Sequence, residues 1–192
     1  MTIMQIILLG ATAFFAFKIY EHMQGLQDPS GSEESVEPVE EQINIDALVE
    51  DADKAYDEGH LLEARELLQK AHHHDSSIPE VSNRLGFVIS QMGNHAEALK
   101  LYNHSLSLTE DDVTHLAIAS ELKALERFDE AAEHYKRAIE LDPEYEVSYF
   151  NYANLLVDMK RIAEAKLMYE KALEIEPELA AAKEELEKLN GK

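Results

Sequence analysis

Four alanines, Ala64, Ala98, Ala131 and Ala165, stand 34, 33 and 34 residues apart, and the residues around them recur with them. Four positions after each comes a large side chain, Leu68, Tyr102, Tyr135 or Tyr169. Three further on is a small one, Ala71, Ser105, Ala138 or Ala172. Offsets of four and seven return to one face of a helix of 3.6-residue period. A short helical unit with one apolar stripe cannot bury that stripe alone, and a repeat of this length stacks copies so that the core runs from unit to unit. The small residues let paired helices close up, and the large ones fill the space between successive units.

The clearest copy runs from Glu146 to Pro177. Tyr149, Tyr152, Ala153 and Leu156 share one face of a first helix, and Ala165, Tyr169, Ala172 and Leu173 share one face of a second. A turn separates the two patterns and a proline closes the unit. The second copy carries Leu85, Gly86, Ile89, Ala98, Tyr102 and Ser105, and the third Ile118, Ala119, Leu122, Ala131, Tyr135, Ala138 and Pro143. These positions resemble the tetratricopeptide repeat family over Ile45 to Pro177. The resemblance implies an all-α, right-handed α-solenoid of four helix-turn-helix repeats in residues 43–177. Residues 178–192, ELAAAKEELEKL and its tail, then read as a capping helix that covers the last hairpin and faces water. Two departures carry expectations. Asp51 stands where the family has a large apolar residue, so the outer helix of the first repeat should pack less firmly. Glu110 replaces the closing proline of a second repeat that is one residue short, so the turn into the third should differ in geometry.

Ahead of the repeats, Ile3 to Phe17 is apolar except for Gln5 and Thr12. As a helix, Thr2 to Tyr20 would be roughly 28 Å long, about one hydrocarbon core. Residues 1–20 are therefore read as a retained single-span transmembrane anchor, with Lys18 and Tyr20 at the interface. A cleaved signal fits less well, because no Lys or Arg precedes the run and the small triplet Ala11 to Ala13 lies inside it. With Lys18 after the span, the repeats are expected on the cytoplasmic side, the extracytoplasmic side being the alternative. Residues 21–42 hold seven acidic side chains, no Lys or Arg, and Pro29 and Pro38, the composition of an acidic flexible linker.

Composition excludes several functions. A formal charge of −22 repels phosphate backbones, and no basic cluster reverses it locally, so no nucleic-acid partner is expected. Without cysteine there is no thiolate nucleophile, thiolate metal site or disulfide. No glycine-rich phosphate loop is present, and Asp51, Asp53 and Asp57 fail as a calcium loop because Ala55, Tyr56 and Leu62 occupy required ligand and glycine positions. His72, His73 and His74 point about 100° apart on a helix and cannot converge on one ion. His115 is read as a structural imidazole. No nucleophile is paired with a base, so neither an enzyme nor a cofactor or metal is expected.

What remains is surface. In the resembled family the first helix of each repeat lines a groove, so the residues lying roughly 100° to 200° from each packing stripe are candidates for contact with a partner protein or peptide. They are Asp46, Val49, Glu50 and Asp53, then Glu80, Asn83, Arg84 and Phe87, then Val113, Leu116, Ala117 and Ser120, and finally Val147, Phe150, Asn151 and Asn154. This groove is acidic at its start, apolar in its middle and amide-bearing at its end. Phe87, Leu116, Val147 and Phe150 are expected as an exposed apolar strip, and Asn151 and Asn154 as hydrogen-bonding groups for a peptide backbone. Val49 and Asp53 stand where a clamp for a terminal carboxylate in the resembled family needs a cation and an amide, which argues against that ligand. The chain is thus expected to be a membrane-anchored adaptor or scaffold. The alternative is a structural subunit or assembly factor acting through repeat-repeat or convex-face contacts.

Overall fold

The computed structural model describes residues 43–191, and every regular element among them is a helix. The expected anchor in residues 1–20 and the acidic linker in residues 21–42 lie outside the described residues, within which no helix is long and apolar enough to cross a membrane. The helices are α1 (Ile45–Asp57), α2 (Leu61–His74), α3 (Pro79–Gln91), α4 (His95–Leu108), α5 (Asp112–Ala124), α6 (Phe128–Leu141), α7 (Glu146–Asp158), α8 (Ile162–Ile175) and α9 (Ala180–Asn190). They pair as four hairpins, α1 with α2 through α7 with α8, and each second helix packs on the first helix of the next hairpin. First helices have 13 residues and second helices 14. Helix α9 closes the stack against α8 through buried Ala182, with Leu179, Leu186 and Leu189 packed beside it.

The periodic alanines are the points of closest packing. Ala64, Ala98, Ala131 and Ala165 are all 0% exposed, and Leu68, Tyr102, Tyr135 and Tyr169 are buried between them. The outermost helix α1 buries only Ala52 and Ala55, whereas α5 buries most positions from Thr114 to Leu122. Asp51 is exposed, and it leaves α1 with the thinner apolar face expected of it.

A second periodicity is written in the backbone. Gly59, Gly93, Glu126 and Lys160, separated by 34, 33 and 34 residues, have φ of 81°, 80°, 59° and 60°. The residue after each donates its N–H across six residues, as from His60 to Ala55 (2.8 Å) and from Arg161 to Leu156 (2.8 Å). This is the Schellman closure, which terminates a helix by sending one residue into the left-handed region. Only glycine takes that conformation without steric cost, so the third and fourth hairpins hold Glu126 and Lys160 against their preference. Replacing Lys160 with glycine is expected to raise the free energy of unfolding by about 0.5–1 kcal/mol, the relieved clash being partly offset by the freer unfolded chain. A urea titration measures it, and the converse Gly93→Ala change should destabilise.

The turn into the third hairpin departs from its neighbours. The residues capping α3 and α7, Ile78 and Tyr145, have φ, ψ of −90°, 105° and −92°, 101°, whereas Asp111 ahead of α5 has −150°, 156°. Its carboxylate accepts from the Thr114 amide (2.8 Å) and hydroxyl (2.6 Å). Glu110, in the proline's place, instead receives two bonds from Arg137 on α6 (2.8 and 3.1 Å). Arg137 holds the Glu110 carboxyl below the usual carboxylate range, chiefly through those bonds.

Candidate functional site

On the side of the stack formed by the first helices, α1, α3 and α5 enclose a cavity of about 280 Å³. Its walls are Asp53 and Tyr56 of α1, Asn83, Arg84, Phe87 and Val88 of α3, and Val113, Thr114 and Ala117 of α5, and Leu68 and Tyr102 form its floor. Six residues expected in the groove from sequence, Asp53, Asn83, Arg84, Phe87, Val113 and Ala117, therefore meet here. Phe87 is 44% exposed with its ring 5.2 Å from that of Tyr56, and Val113 is 61% exposed. Arg84 bonds Asp53 and, at 2.7 Å, Glu80, and these partners raise its pKa.

The other expected groove residues fall elsewhere. Leu116 is 8% exposed and belongs to the core, so it cannot form part of an exposed strip. Phe150 is half-buried with its ring 5.8 Å from Tyr169, and the Asn154 side chain accepts from the Tyr169 hydroxyl (2.6 Å). Val147 and Asn151 are partly exposed on α7, outside this cavity. For Leu116 and Phe150 the reason is their register. Positions 49, 83, 116 and 150 share one register in the four repeats, and it turns towards the next hairpin, as the bond from Asn83 to Thr114 on α5 shows (2.7 Å). A helical wheel defines direction about one axis and does not include the neighbour that covers it.

Leu68 and Tyr102 were not legible as cavity residues because they belong to the packing pattern, and Tyr56 was read only as a position that fails a calcium loop. What opens the cavity at the second hairpin is a pair of adjacent substitutions in the repeat. Position 86 is glycine where the later repeats have Ala119 and Ala153, and a Cβ there would lie 3.0 Å from Tyr102 Cε1. The next position bears the partner of the tyrosine hydroxyl in later repeats, Ser120 for Tyr135 (3.4 Å) and Asn154 for Tyr169 (2.6 Å). In the second repeat that position is Phe87, which can neither donate nor accept. Among the described residues the Tyr102 hydroxyl consequently has no hydrogen-bond partner, and burial, aided by the Glu121 charge, pushes its pKa up.

Polar chemistry elsewhere serves the joints between hairpins. The buried Glu121 carboxylate accepts from Ser90 (2.6 Å) and bonds His95 Nδ1 (2.8 Å), tying α3 and α4 to α5. The carboxylate lies between hydroxyl and imidazole and holds the two apart. His115 and His134 share one proton between Nδ1 atoms 2.9 Å apart, and Glu110 lies 3.4 Å from His115 Nε2 without hydrogen-bond alignment. Among the described residues no cluster of three acidic or histidine side chains is arranged to hold a metal. His72 bonds Ser82 (3.2 Å) and lies edge-on to His104.

The His115–His134 pair makes stability depend on pH. Desolvation, then the neighbouring His115, lowers the His134 pKa below 6.5, with Glu130 opposing. The folded chain then binds fewer protons than the unfolded chain below about pH 6.5, so this contribution to stability is present above that pH and lost as pH falls through it. Relief of the −22 charge acts on any variant alike, so the comparison is with His134→Gln. From pH 7 to 5.5, the melting temperature of the wild type is expected to fall relative to that of the variant; parallel curves would contradict the assignment.

Sequence comparison agrees with this architecture. One tetratricopeptide repeat profile matches residues 77–144 and a second matches 122–188, together more than half of the chain. The chain belongs to the tetratricopeptide repeat family. No curated protein matches it significantly in sequence. Among solved structures, MamA superposes with a TM-score of 0.67 at 21% identity, over 72% of this chain and 81% of that one. YrrB, a tetratricopeptide repeat protein with an unusual peptide-binding site, gives 0.62 at 21% identity over 72% of each chain. The first such repeat domain of Spaghetti (RPAP3), bound to the HSP90 peptide SRMEEVD, gives 0.58 at 26% identity, over 61% of this chain and 94% of that one.

Proposed function

We propose that this chain is a membrane-anchored adaptor whose groove of first helices binds a segment of a partner protein. Tetratricopeptide repeat proteins generally mediate protein or peptide binding, and two of the similar folds described above are peptide-binding proteins. The observation that carries the reading is the cavity under Phe87, apolar in most of its lining and open at the surface beside exposed Val113. At about 280 Å³ it is below the ~300–1,000 Å³ of ordinary small-molecule sites, a size that suits a side chain or two of a polypeptide. The anchor rests on the apolar run from Ile3 to Phe17, and protease access to the repeats in intact cells tests its orientation.

The binding test uses Phe87. Truncating a central aromatic at such an interface costs about 2 kcal/mol or more, so Phe87→Ala should weaken partner binding by at least about thirtyfold. Phe150→Ala, outside the cavity, should change it little. The reverse order of effects would move the site to the fourth repeat.

A further inference from the structure

The occupant's chemistry can be read from what adjoins the cavity. Asp53 is shared between the apolar cavity and a second hollow of about 250 Å³ lined by Ile45, Asp46, Val49, Glu50, Glu80 and Val81. Four carboxylates, Asp46, Glu50, Asp53 and Glu80, thus line the two hollows against one cation, Arg84, whose guanidinium is already engaged by Asp53 and Glu80. Asp46 and Glu50 are exposed and enter no ion pair among the described residues. Inside the apolar cavity, Asn83 Oδ1 is buried and has no donor. Its orientation is fixed, because Nδ2 donates to Thr114 Oγ1 while that hydroxyl donates to Asp111. An unpaired buried carbonyl oxygen costs about 1–3 kcal/mol and calls for an N–H or O–H donor.

We infer that the occupant is a peptide segment presenting a leucine or aromatic side chain to the cavity beneath Phe87 and a neighbouring lysine or arginine to Asp46 and Glu50. This deepens the groove reading and rests on it. Charge decides between occupants. An acidic peptide or a free carboxylate would enter a field of uncompensated negative charge. The chain's own residues 21–42, with seven acidic side chains and no Lys or Arg, are excluded on the same ground.

The experiment is a peptide array probed with the full-length labelled chain. Acetylated, amidated peptides carry one leucine or phenylalanine and one lysine or arginine at every spacing, alongside versions with glutamate for the cation or serine for the anchor. SRMEEVD with a free carboxyl terminus is included. The expected result is retention only where both groups are present, weakened by about tenfold in Asp46→Lys/Glu50→Lys and falling with added salt. Both substitutions lie on an exposed face of α1, and far-UV circular dichroism confirms that the variant is folded. Retention of anchor peptides regardless of the cation, yet lost in Phe87→Glu, overturns the charge assignment and leaves the groove standing. Equal retention of SRMEEVD does the same. Retention unaffected by Phe87→Glu, or no retention at any spacing, overturns both.

Discussion

Tyr135→Ala is expected to cost about 3–5 kcal/mol, the range for deleting a large buried ring. Tyr135 is 2% exposed, and its ring lies 6.1 Å from that of Tyr152 across the junction between the third and fourth hairpins. Solenoid stability is a sum of unit and nearest-neighbour terms, so the loss falls on one junction. The fourth hairpin and α9 should therefore unfold first, splitting a single urea transition into two. A variant that retains one transition at an unchanged midpoint would show that the repeats do not depend on this ring.

The second large effect concerns a charge. His95→Ala leaves the Glu121 carboxylate, 6% exposed, with Ser90 as its one remaining partner. Removing the partner of a buried charge costs more than removing the charge, because the uncompensated ion stays behind. A loss of about 2–3 kcal/mol is expected for His95→Ala and less than about 1 kcal/mol for Glu121→Gln, which can still bond both neighbours. Equal losses in urea titrations of the two variants would mean that Glu121 is not held as a buried anion.

The fold was legible because its rules are local and repeated. Ala64, Ala98, Ala131 and Ala165 each mark one crossing of two helices, and the period alone implies a stack. The left-handed turn residues were half-visible, since glycine marks positions 59 and 93 while Glu126 and Lys160 occupy the same conformation unannounced. The altered turn before α5 followed from Glu110, although its use as the partner of Arg137, 27 residues away, required the fold. The candidate groove residues read from sequence lie on all four first helices, and the cavity takes in those of the first three and none of the fourth. The fourth repeat matches the family pattern best, and there Tyr169 has its partner in Asn154. The cavity lies where Phe87 replaces the polar residue of the later repeats, and only the packed neighbours show that there is room beside it.

The most direct test of groove binding is site-specific photocrosslinking in cells that express the full-length chain, with p-benzoylphenylalanine in place of Phe87 or of Leu167. Both positions are exposed, at 44% and 56%, Phe87 in the wall of the cavity and Leu167 on α8 apart from it. The account predicts a discrete adduct from position 87 and none from position 167. An adduct from position 167 with none from position 87 would contradict it.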